Sequence, residues 1–400
     1  MNILFLSPLV PWPTNTGGKQ VLYNQIKGLS SSHDVDLFCF KQPDYSGTDC
    51  LKNYCKSLTI IDNHGPGKII LNAVIGLARY VPLKISHFTS RKNRILIHEH
   101  LRKYSYDVII SRIEMAQFIP DFYTGAKILL MEDPETLKFT RQSNHDLNLL
   151  LRLFWRFAND RVARYEQRQA RRFDRVTLLS EEDAREYQSF LPDARLVCVP
   201  YGTDPDRFSP SNEVKRCDGM IVFSGNMYHL PNVAAINHFC SNIFPLVKKE
   251  VPTATFWIVG ANPVPEVRRW GQLKGICVTG AVPEIRDYLR MARVSVCPIS
   301  LKIGVQTKVL EAMACGTPVV TTSAGNSGIC ATSGDGLYVV DSPADFALRI
   351  VSLLKGDRWD DMSIRARQFV LDHFSWGRSV EKLEKLITDV INEHRKGSIA

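Results

Sequence analysis

The stretch Pro298-Ile-Ser-Leu-Lys-Ile-Gly-Val-Gln-Thr-Lys-Val-Leu-Glu-Ala-Met-Ala-Cys-Gly-Thr-Pro-Val-Val-Thr-Thr322 decides the fold of this chain of 400 residues. Its middle part predicts a helix from about residue 305 to 314, because four apolar residues recur there at helical spacing: Val305, Val309, Leu310 and Met313. An apolar run precedes this helix, Gly316 ends it, and Pro318 introduces a β-branched run that is typical of a strand. The stretch therefore predicts strand, turn, helix and strand, the repeating unit of an α/β fold.

Two charged residues of this helix predict a nucleotide site. Lys308 falls in the first turn, and Glu311 lies on the same face one turn further on. A helix N-terminus attracts anions, and a lysine there adds a full positive charge for phosphate. A carboxylate one turn deeper can accept two hydrogen bonds from a ribose diol. The alternative, which composition alone favours, is a surface Lys–Glu pair on an ordinary helix.

A family resemblance favours the nucleotide site. The segment Lys308-Val-Leu-Glu-Ala-Met-Ala314, followed by Gly316-Thr-Pro-Val-Val320, resembles the nucleotide-binding signature of the retaining glycosyltransferases of family 4. The resemblance extends from Gly17-Gly18 to the C-terminal helix, and it includes the sugar transferases of bacterial exopolysaccharide clusters. It implies an α/β protein of the GT-B fold, with two Rossmann-like domains that face a central cleft. It also implies transfer of a hexose from a nucleotide-diphosphate sugar to a polysaccharide or lipid-linked acceptor, with retention of configuration.

Length and composition are consistent with two soluble domains. A chain of 400 residues exceeds a single hydrophobic core, so we expect domains of roughly 200 residues each. The segment 200–210 is dense in Pro, Gly and Asp, as a domain boundary often is. We therefore predict an N-terminal acceptor-side domain over residues 1–199 and a nucleotide-sugar-binding domain over residues 200–375. The resemblance adds that the C-terminal helix, 376–400, returns to the first domain.

Charge and targeting signals predict the surroundings of the protein. The formal net charge of +9 indicates an anionic partner, and motifs of nucleic-acid-binding modules are missing from the sequence. The first residues lack a basic leader and a cleavage site, and no apolar run reaches the roughly 20 residues of a membrane span. The ten cysteines are scattered, without C-x-x-C spacing. We therefore expect a cytoplasmic protein with free thiols.

In the N-terminal half, two of three candidate places lie at predicted strand ends, where α/β sheets bind ligands, and the third lies between the first strand and the first helix. Gly17-Gly18 lets backbone N–H groups approach a ligand closely, and the resemblance places this loop beneath the donor phosphates and the acceptor. Arg112 stands near a position where many family members carry a histidine that is thought to help at the acceptor. Glu132 or Asp133 is our first choice for contacting the acceptor hydroxyl; the alternative is a helix N-cap before Glu135.

In the second half, the resemblance assigns further residues to the donor. Gly225-Asn226 suits a turn that faces phosphate, and Gly280-Ala-Val282 resembles the turn that holds the base. Lys302 and Lys308 are expected to meet the phosphate charge. The turn before the helix completes the predicted donor site with Gly304, Val305 and Thr307. The E-x7-E signature of the family is incomplete, because Ile303 stands where the first glutamate belongs, so the identity of the sugar cannot be carried over.

An arginine-rich segment from Asn148 to Arg175 predicts one long helix with two interpretations. A basic amphipathic helix can lie on an anionic membrane surface, which would make the protein peripheral on the inner face. We favour the alternative of a packed helix with a solvated arginine face.

We expect no metal and no cofactor beyond the nucleotide sugar. Asp34-Val-Asp36 lies at the start of a strand, with both carboxylates away from the face of Val35 and Leu37. Asp204-Pro-Asp206 lies in the interdomain connection, where Asp206 is expected to make a local turn contact. The triplet His98-Glu-His100 lacks metal-ligand spacing and is expected to be exposed.

Two rival functions stay open at this point. A nucleotide-sugar epimerase on the GT-B fold would convert the donor without an acceptor. A catalytically silent GT-B subunit would bind a partner, and the missing glutamate at 303 and histidine at 112 are its sequence support.

Overall fold

The computed structural model describes all residues of the chain except 15, 43–46, 48, 63–81, 83–84, 86–87, 89–90, 146–148, 303, 357 and 398–400. The contacts divide the chain into two compact units. Unit 1 consists of Met1–Pro200 with Ser379–Ala400, and unit 2 consists of Tyr201–Arg378. The chain thus passes between the units at 200/201 and 378/379, where the sequence predicts 199/200 and 375/376.

Unit 1 contains a parallel sheet of seven described strands in the order β3-β2-β1-β4-β5-β6-β7. Its strands are β1 (Asn2–Ser7), β2 (Asp34–Phe40), β3 (Ser57–Ile61), β4 (Val108–Arg112), β5 (Ala126–Leu130), β6 (Arg175–Leu178) and β7 (Leu196–Cys198). Its helices are α1 (Gly17–Leu29), α2 (Asp49–Lys52), α3 (Arg91–Lys103), α4 (Glu135–His145), α5 (Leu149–Ala170) and α6 (Glu181–Gln188), with a 3₁₀ turn over Ala116–Phe118. The central strand β1 is buried along its length after Asn2, as a parallel strand covered on both faces must be.

Unit 2 contains a parallel sheet of six strands among its described residues, in the order β10-β9-β8-β11-β12-β13. Its strands are β8 (Cys217–Ser224), β9 (Thr255–Val259), β10 (Ile276–Gly280), β11 (Ala292–Cys297), β12 (Val319–Thr321) and β13 (Leu337–Val339). Its helices are α7 (Leu230–His238), which continues through a π-helical segment (Phe239–Ile243) into α8 (Phe244–Glu250), then α9 (Pro265–Trp270), α10 (Ile285–Met291), α11 (Thr307–Ala314), α12 (Ser323–Asn326), α13 (Pro343–Leu354) and α14 (Trp359–His373).

The final helix, α15 (Trp376–Gly397), begins in unit 2 and completes unit 1. Five of its apolar side chains are buried in the core cluster that also contains residues of β1, β2 and α1: Leu383, Leu386, Ile387, Val390 and Ile391. A charged residue of α15 also contacts unit 1, since Glu393 Oε1 lies 2.5 Å from Arg175 Nη2.

The α/β class with two Rossmann-like domains is confirmed. The predicted helix from Asn148 to Arg175 is wrong at its C-terminal end, because α5 ends at Ala170 and Arg175 already belongs to β6. The guanidinium of Arg172 donates to the carbonyl oxygens of Ala116 and Ile119, which holds the chain in a turn after the helix. A helix predicted over 67–80 falls outside the described residues. None of the described helices is long and apolar enough to span a bilayer.

Candidate active site

Three neighbouring strands of unit 2 end in glycines with left-handed backbone angles. Gly225, Gly260 and Gly280 follow or end β8, β9 and β10, with φ of +151°, +146° and +71°. The N–H of Gly225 donates to the Val259 carbonyl, and a Cβ on Gly260 would overlap the carbonyl oxygen of Gly225. Side chains are therefore excluded at the edge of the sheet where α/β folds bind ligands, and the backbone there is open to close approach.

Lys308 is held at this edge by Asn232, which is itself held by the backbone of Asn226. It is the second residue of α11, and its Nζ donates to Asn232 Oδ1 at 2.6 Å. Asn232 Nδ2 in turn donates to the carbonyl oxygen of Asn226 at 2.8 Å. A Cβ on Gly225 would stand 2.9 Å from Asn232 Nδ2, so glycine leaves room for this chain of contacts. Burial lowers the pKa of Lys308, against the opposing charge of Glu311.

Glu311 lies one turn further along α11 and lacks the partners that a buried carboxylate needs. No hydrogen bond joins its carboxylate to a described residue, and the charges that act on it are those of Arg207 and Lys308. Burial raises the pKa of Glu311 to about 7, although both cations oppose that rise. The side chain keeps part of its surface open. A carboxylate so placed can accept hydrogen bonds from a bound hydroxyl-bearing ligand.

The other predicted donor residues surround this centre less tightly. Asn226 is exposed, and its Oδ1 accepts from the N–H of Tyr228 at 3.1 Å. Gly304 is buried with φ of +48°, and a Cβ on Gly328 would stand 2.8 Å from its carbonyl oxygen. The remaining residues lie half-buried in loops or at the start of α11: Val282, Lys302, Val305 and Thr307. Ile303 falls outside the described residues.

In unit 1, a buried ion cluster lies beside Gly18. Arg112 at the end of β4 donates from Nη1 to Glu132 Oε1 at 2.6 Å, and its Nε lies 3.5 Å from Glu114 Oε2. A Cβ on Gly18 would stand 2.9 Å from Glu132 Oε2 and 3.0 Å from Arg112 Nη1. The absence of a side chain at Gly18 therefore makes room for this pair at the first turn of α1.

The protonation of this cluster follows from its burial. Burial raises the pKa of Glu132, and Arg112 opposes that rise. Burial alone would lower the pKa of Arg112, but Glu132 and Glu114 together outweigh it and raise that pKa. The Arg112 guanidinium is thus positively charged, and it pairs with two carboxylates, those of Glu132 and Glu114.

Asp133 pairs with a different cation, although its charge contributes to the raised pKa of Glu132. Its carboxylate lies 3.7 Å from Lys138 Nζ. The helix cap that was the alternative role for Glu132 and Asp133 comes instead from Glu166, whose Oε1 accepts from the N–H of Glu135 at 2.9 Å. Of the two predicted acceptor residues, Glu132 is the one that joins Arg112.

Among the described residues, no group of three or more His, Cys, Asp or Glu side chains could hold a metal ion. Asp34 pairs with Lys56 at 2.6 Å, and Asp36 accepts from the hydroxyl of Tyr106 at 2.7 Å. The same hydroxyl lies 2.7 Å from His100, so the expectation that His100 is exposed is wrong.

Asp206 makes the local turn contact expected of it, and it does so through its backbone. Its N–H donates to Asp204 Oδ1, and its carbonyl oxygen accepts from the hydroxyl of Ser209.

Two residues that act on Lys308 and Glu311 were missed from the sequence, Asn232 and Arg207. Asn232 follows Pro231 at the start of α7, and that Pro-Asn pair was the available signal. Arg207 lies in the Pro- and Asp-rich segment after the first passage between the units and gave no distinguishing signal.

The match to a known domain covers this centre. Residues 218–356 match the family model described as "Glycosyl transferases group 1", and they include Asn232, Lys308 and Glu311. The chain is a glycosyltransferase, and its architecture is that of the GT-B glycosyltransferases.

Two relatives are similar to the chain in sequence. An "Uncharacterized 44.6 kDa protein in cps region" of Klebsiella pneumoniae is 23% identical over 93% of this chain and 96% of that protein. The GDP-mannose-dependent alpha-(1-6)-phosphatidylinositol monomannoside mannosyltransferase of Mycolicibacterium smegmatis is 26% identical over 54% of this chain and 62% of that protein.

Among solved structures, sucrose-phosphate synthase of Thermosynechococcus elongatus has a TM-score of 0.71 at 15% identity, covering 98% of this chain and 100% of that one. Anabaena Alr3699/HepE in complex with UDP-glucose has a TM-score of 0.65 at 14% identity, covering 97% and 100%. These structures support the fold.

Proposed function

We propose that this protein is a retaining glycosyltransferase that moves a hexose from a nucleotide-diphosphate sugar to a polysaccharide or lipid-linked acceptor. The observation that carries the proposal is the pairing in α11 of Lys308, held by Asn232, with Glu311, whose carboxylate has no hydrogen-bond partner among the described residues. The relative from a cps region supports an exopolysaccharide role. The mannosyltransferase and HepE support a nucleotide-sugar donor, since their names include GDP-mannose and UDP-glucose.

The donor residues act on the charge that develops during transfer. As the anomeric C–O bond breaks, negative charge grows on the leaving diphosphate. The Lys308 ammonium and the N-terminus of α11 stabilise that charge more strongly in the transition state than in the bound donor, which is the difference that accelerates a reaction. Glu311 accepts hydrogen bonds from the ribose hydroxyls and fixes the nucleotide. Lys302 adds positive charge, so the mechanism needs no metal ion.

On the acceptor side, we assign Glu132 to the attacking hydroxyl. Its Oε1 is fixed by Arg112, whereas its Oε2 is directed toward Gly18. The charge of Arg112 favours the ionised carboxylate against the effect of burial, and its hydrogen bond orients that carboxylate for an incoming hydroxyl. Asp133 has a subsidiary part in this proposal, because Lys138 engages it.

The nucleotide site can be tested without knowing the acceptor. Binding of UDP and GDP is measured by calorimetry for the parent protein, Glu311→Ala, and Glu250→Ala as a matched control with an exposed carboxylate. Each charged hydrogen bond is worth roughly 1.5–3 kcal/mol, so Glu311→Ala should weaken the preferred nucleotide at least tenfold. The control should bind as the parent does, and excess EDTA should leave both affinities unchanged. Equal affinity in Glu311→Ala and the parent would remove the basis of the proposal.

Turnover separates the proposed transfer from its two rivals. The parent protein is incubated with UDP-glucose or GDP-mannose, with and without lipid extracted from bacterial cell envelopes. A transferase releases nucleotide in step with sugar appearing in the lipid fraction. Conversion of the donor to an epimer without lipid would instead identify an epimerase, and nucleotide binding with no turnover under any condition would identify a silent subunit.

A further inference from the structure

Helix α3 and the loop residue Phe122 form an exposed surface of unit 1 that is both apolar and basic. Ile95 and Phe122 are 46% and 49% exposed, so each presents about half of its apolar surface to solvent beside the cations of the helix. His98 connects them, because it lies one turn from Ile95 and its ring centroid is 5.7 Å from that of Phe122. We call this surface the α3 patch; it consists of Arg91, Lys92, Ile95, Arg102, Lys103 and Phe122.

The four cations of the α3 patch lie on the same side of α3 as Ile95. At about 100° per residue, Arg91 and Arg102 fall within about 40° of Ile95, and Lys92 and Lys103 within about 80°. The guanidinium of Arg102 lies 5.1 Å from the ring centroid of Phe122. No ion pair with a described residue neutralises these four cations, and Glu99 is the single carboxylate of α3.

We propose that the α3 patch binds an anionic lipid bilayer. Ile95 and Phe122 enter the boundary between headgroups and acyl chains, and the four cations contact acidic headgroups around them. Charge complementarity selects the acidic surface, and the aliphatic Ile95 favours a bilayer over a single-stranded nucleic acid, whose bases need flat stacking partners. This inference is independent of the proposed transfer reaction.

The arginine-rich helix α5 is a weaker candidate for the same role. Its described apolar residues Val162 and Tyr165 are buried, so its described part offers nothing to insert into lipid. Beyond its end, Arg172 is bound to backbone carbonyls and Arg175 to Glu393. The α3 patch therefore combines exposed apolar side chains with cations that form no ion pair with a described residue, and an anionic bilayer can bind both.

The test is co-sedimentation with vesicles of phosphatidylcholine alone or of an equal mixture with phosphatidylglycerol, at low and high salt. The full-length protein is compared with Arg91→Gln/Arg102→Gln and with Ile95→Ser/Phe122→Ser. Matched controls are Arg164→Gln/Arg168→Gln on α5 and Leu348→Ser/Ile364→Ser, which removes apolar side chains of unit 2 that are even more exposed, at 60% and 71%. Hydrogen exchange at the amides of β1 and β4 verifies that unit 1 of each variant is folded, and UDP and GDP binding verifies the same for unit 2.

We expect binding to the acidic vesicles only, weakened by salt as screening requires. Since each cation near the surface is worth about 1 kcal/mol, the double glutamine variant should bind about 25-fold more weakly, and the double serine variant should also lose binding. Both controls should bind as the parent does. The proposal is overturned if the parent binds no vesicle, binds neutral vesicles equally, or loses binding in the α5 variant while the α3 variants retain it.

Discussion

At the scale of single residues, the donor centre places its ionisable groups where burial opposes their charge. Burial lowers the pKa of Lys308 and raises that of Glu311, so each residue is less readily charged than in water. A bound nucleotide would supply phosphate oxygens to Lys308 and hydroxyl groups to Glu311. The free protein therefore carries an electrostatic cost that the ligand relieves, which is common at functional sites.

This cost predicts how Glu311→Gln changes stability with pH. The pKa of Glu311 rises from 4.5 to about 7 on folding, so the folded state holds an extra proton between these values. Stability contributed by the neutral carboxyl is full below pH 4.5 and is lost as the pH rises through 7. Glutamine stays neutral, so Glu311→Gln should match the parent near pH 4.5 and exceed it at pH 8, by on the order of 2 kcal/mol.

The measurement is the unfolding of unit 2 by denaturant at both pH values in the absence of nucleotide. Glu250→Gln serves as the control, since its carboxylate is exposed. A parent protein as stable as Glu311→Gln at pH 8, or a gain of equal size at both pH values, would show that Glu311 is not desolvated in the free protein.

The sequence predicted the contacts made within one helix better than those made across the fold. Lys308 and Glu311 are three residues apart, and helical spacing alone places them on one face. Asn232 lies 76 residues from Lys308, and Glu166 lies 31 residues from the N–H that it caps. Such pairs depend on which strands become neighbours, and local pattern does not encode that choice.

At the scale of elements, α11 is held at its C-terminal end by two arginines. Arg216 donates to the carbonyl oxygens of Cys315 and Gly316 at 3.0 and 3.1 Å. Arg367 donates to that of Ala314 at 2.7 Å. Carbonyl groups at a helix end have no partner in the helix, and positive charge there is favourable. Helix α11 is thus anchored at its C-terminal end, while its N-terminal end carries the proposed nucleotide site.

Arg216→Ala should destabilise unit 2 more than a surface substitution would. Arg216 also donates to the Ala292 carbonyl at 2.7 Å and to the hydroxyl oxygen of Thr317 at 2.8 Å. Each buried acceptor left without a partner costs roughly 1–3 kcal/mol, so we expect a loss of about 3–5 kcal/mol. Burial lowers the pKa of Arg216 to about 10, so the residue is charged at neutral pH.

Unfolding can be followed at Trp359, whose ring lies 4.7 Å from the guanidinium of Arg216. Arg216→Lys should recover only part of the loss, because one ammonium cannot reach the same set of acceptors. Arg365→Ala, which removes an exposed arginine of α14, is the control. A change below 1 kcal/mol in Arg216→Ala, or full recovery with lysine, would contradict the role of the guanidinium fork.

At the scale of the whole molecule, unit 1 is assembled from the two ends of the chain. The family resemblance predicted that the C-terminal helix returns to the first domain, a placement that local periodicity cannot give. The structure gives the physical reason, since β1, β2 and α1 leave an apolar surface that Leu383, Ile387 and Val390 fill. A domain that ends at Pro200 would expose this surface to water.

Removal of residues 379–400 should therefore unfold unit 1 and spare unit 2. Burying a Leu, Ile or Val side chain is worth roughly 1.5–3 kcal/mol, so the five core residues of α15 contribute about 8–15 kcal/mol, comparable to the total stability of a domain. Hydrogen exchange should show amides of β1 and β4 losing protection, while those of β8 and β11 keep it.

Leu383→Ala/Val390→Ala in the full chain should destabilise unit 1 in part, and Lys382→Ala/Lys385→Ala, on the solvated face, should leave exchange unchanged. Nucleotide binding by the shortened protein reports on unit 2, because Lys308, Asn232 and Glu311 all lie within it. Protected amides in β1 and β4 after the deletion would mean that the first 200 residues form a stable core without α15.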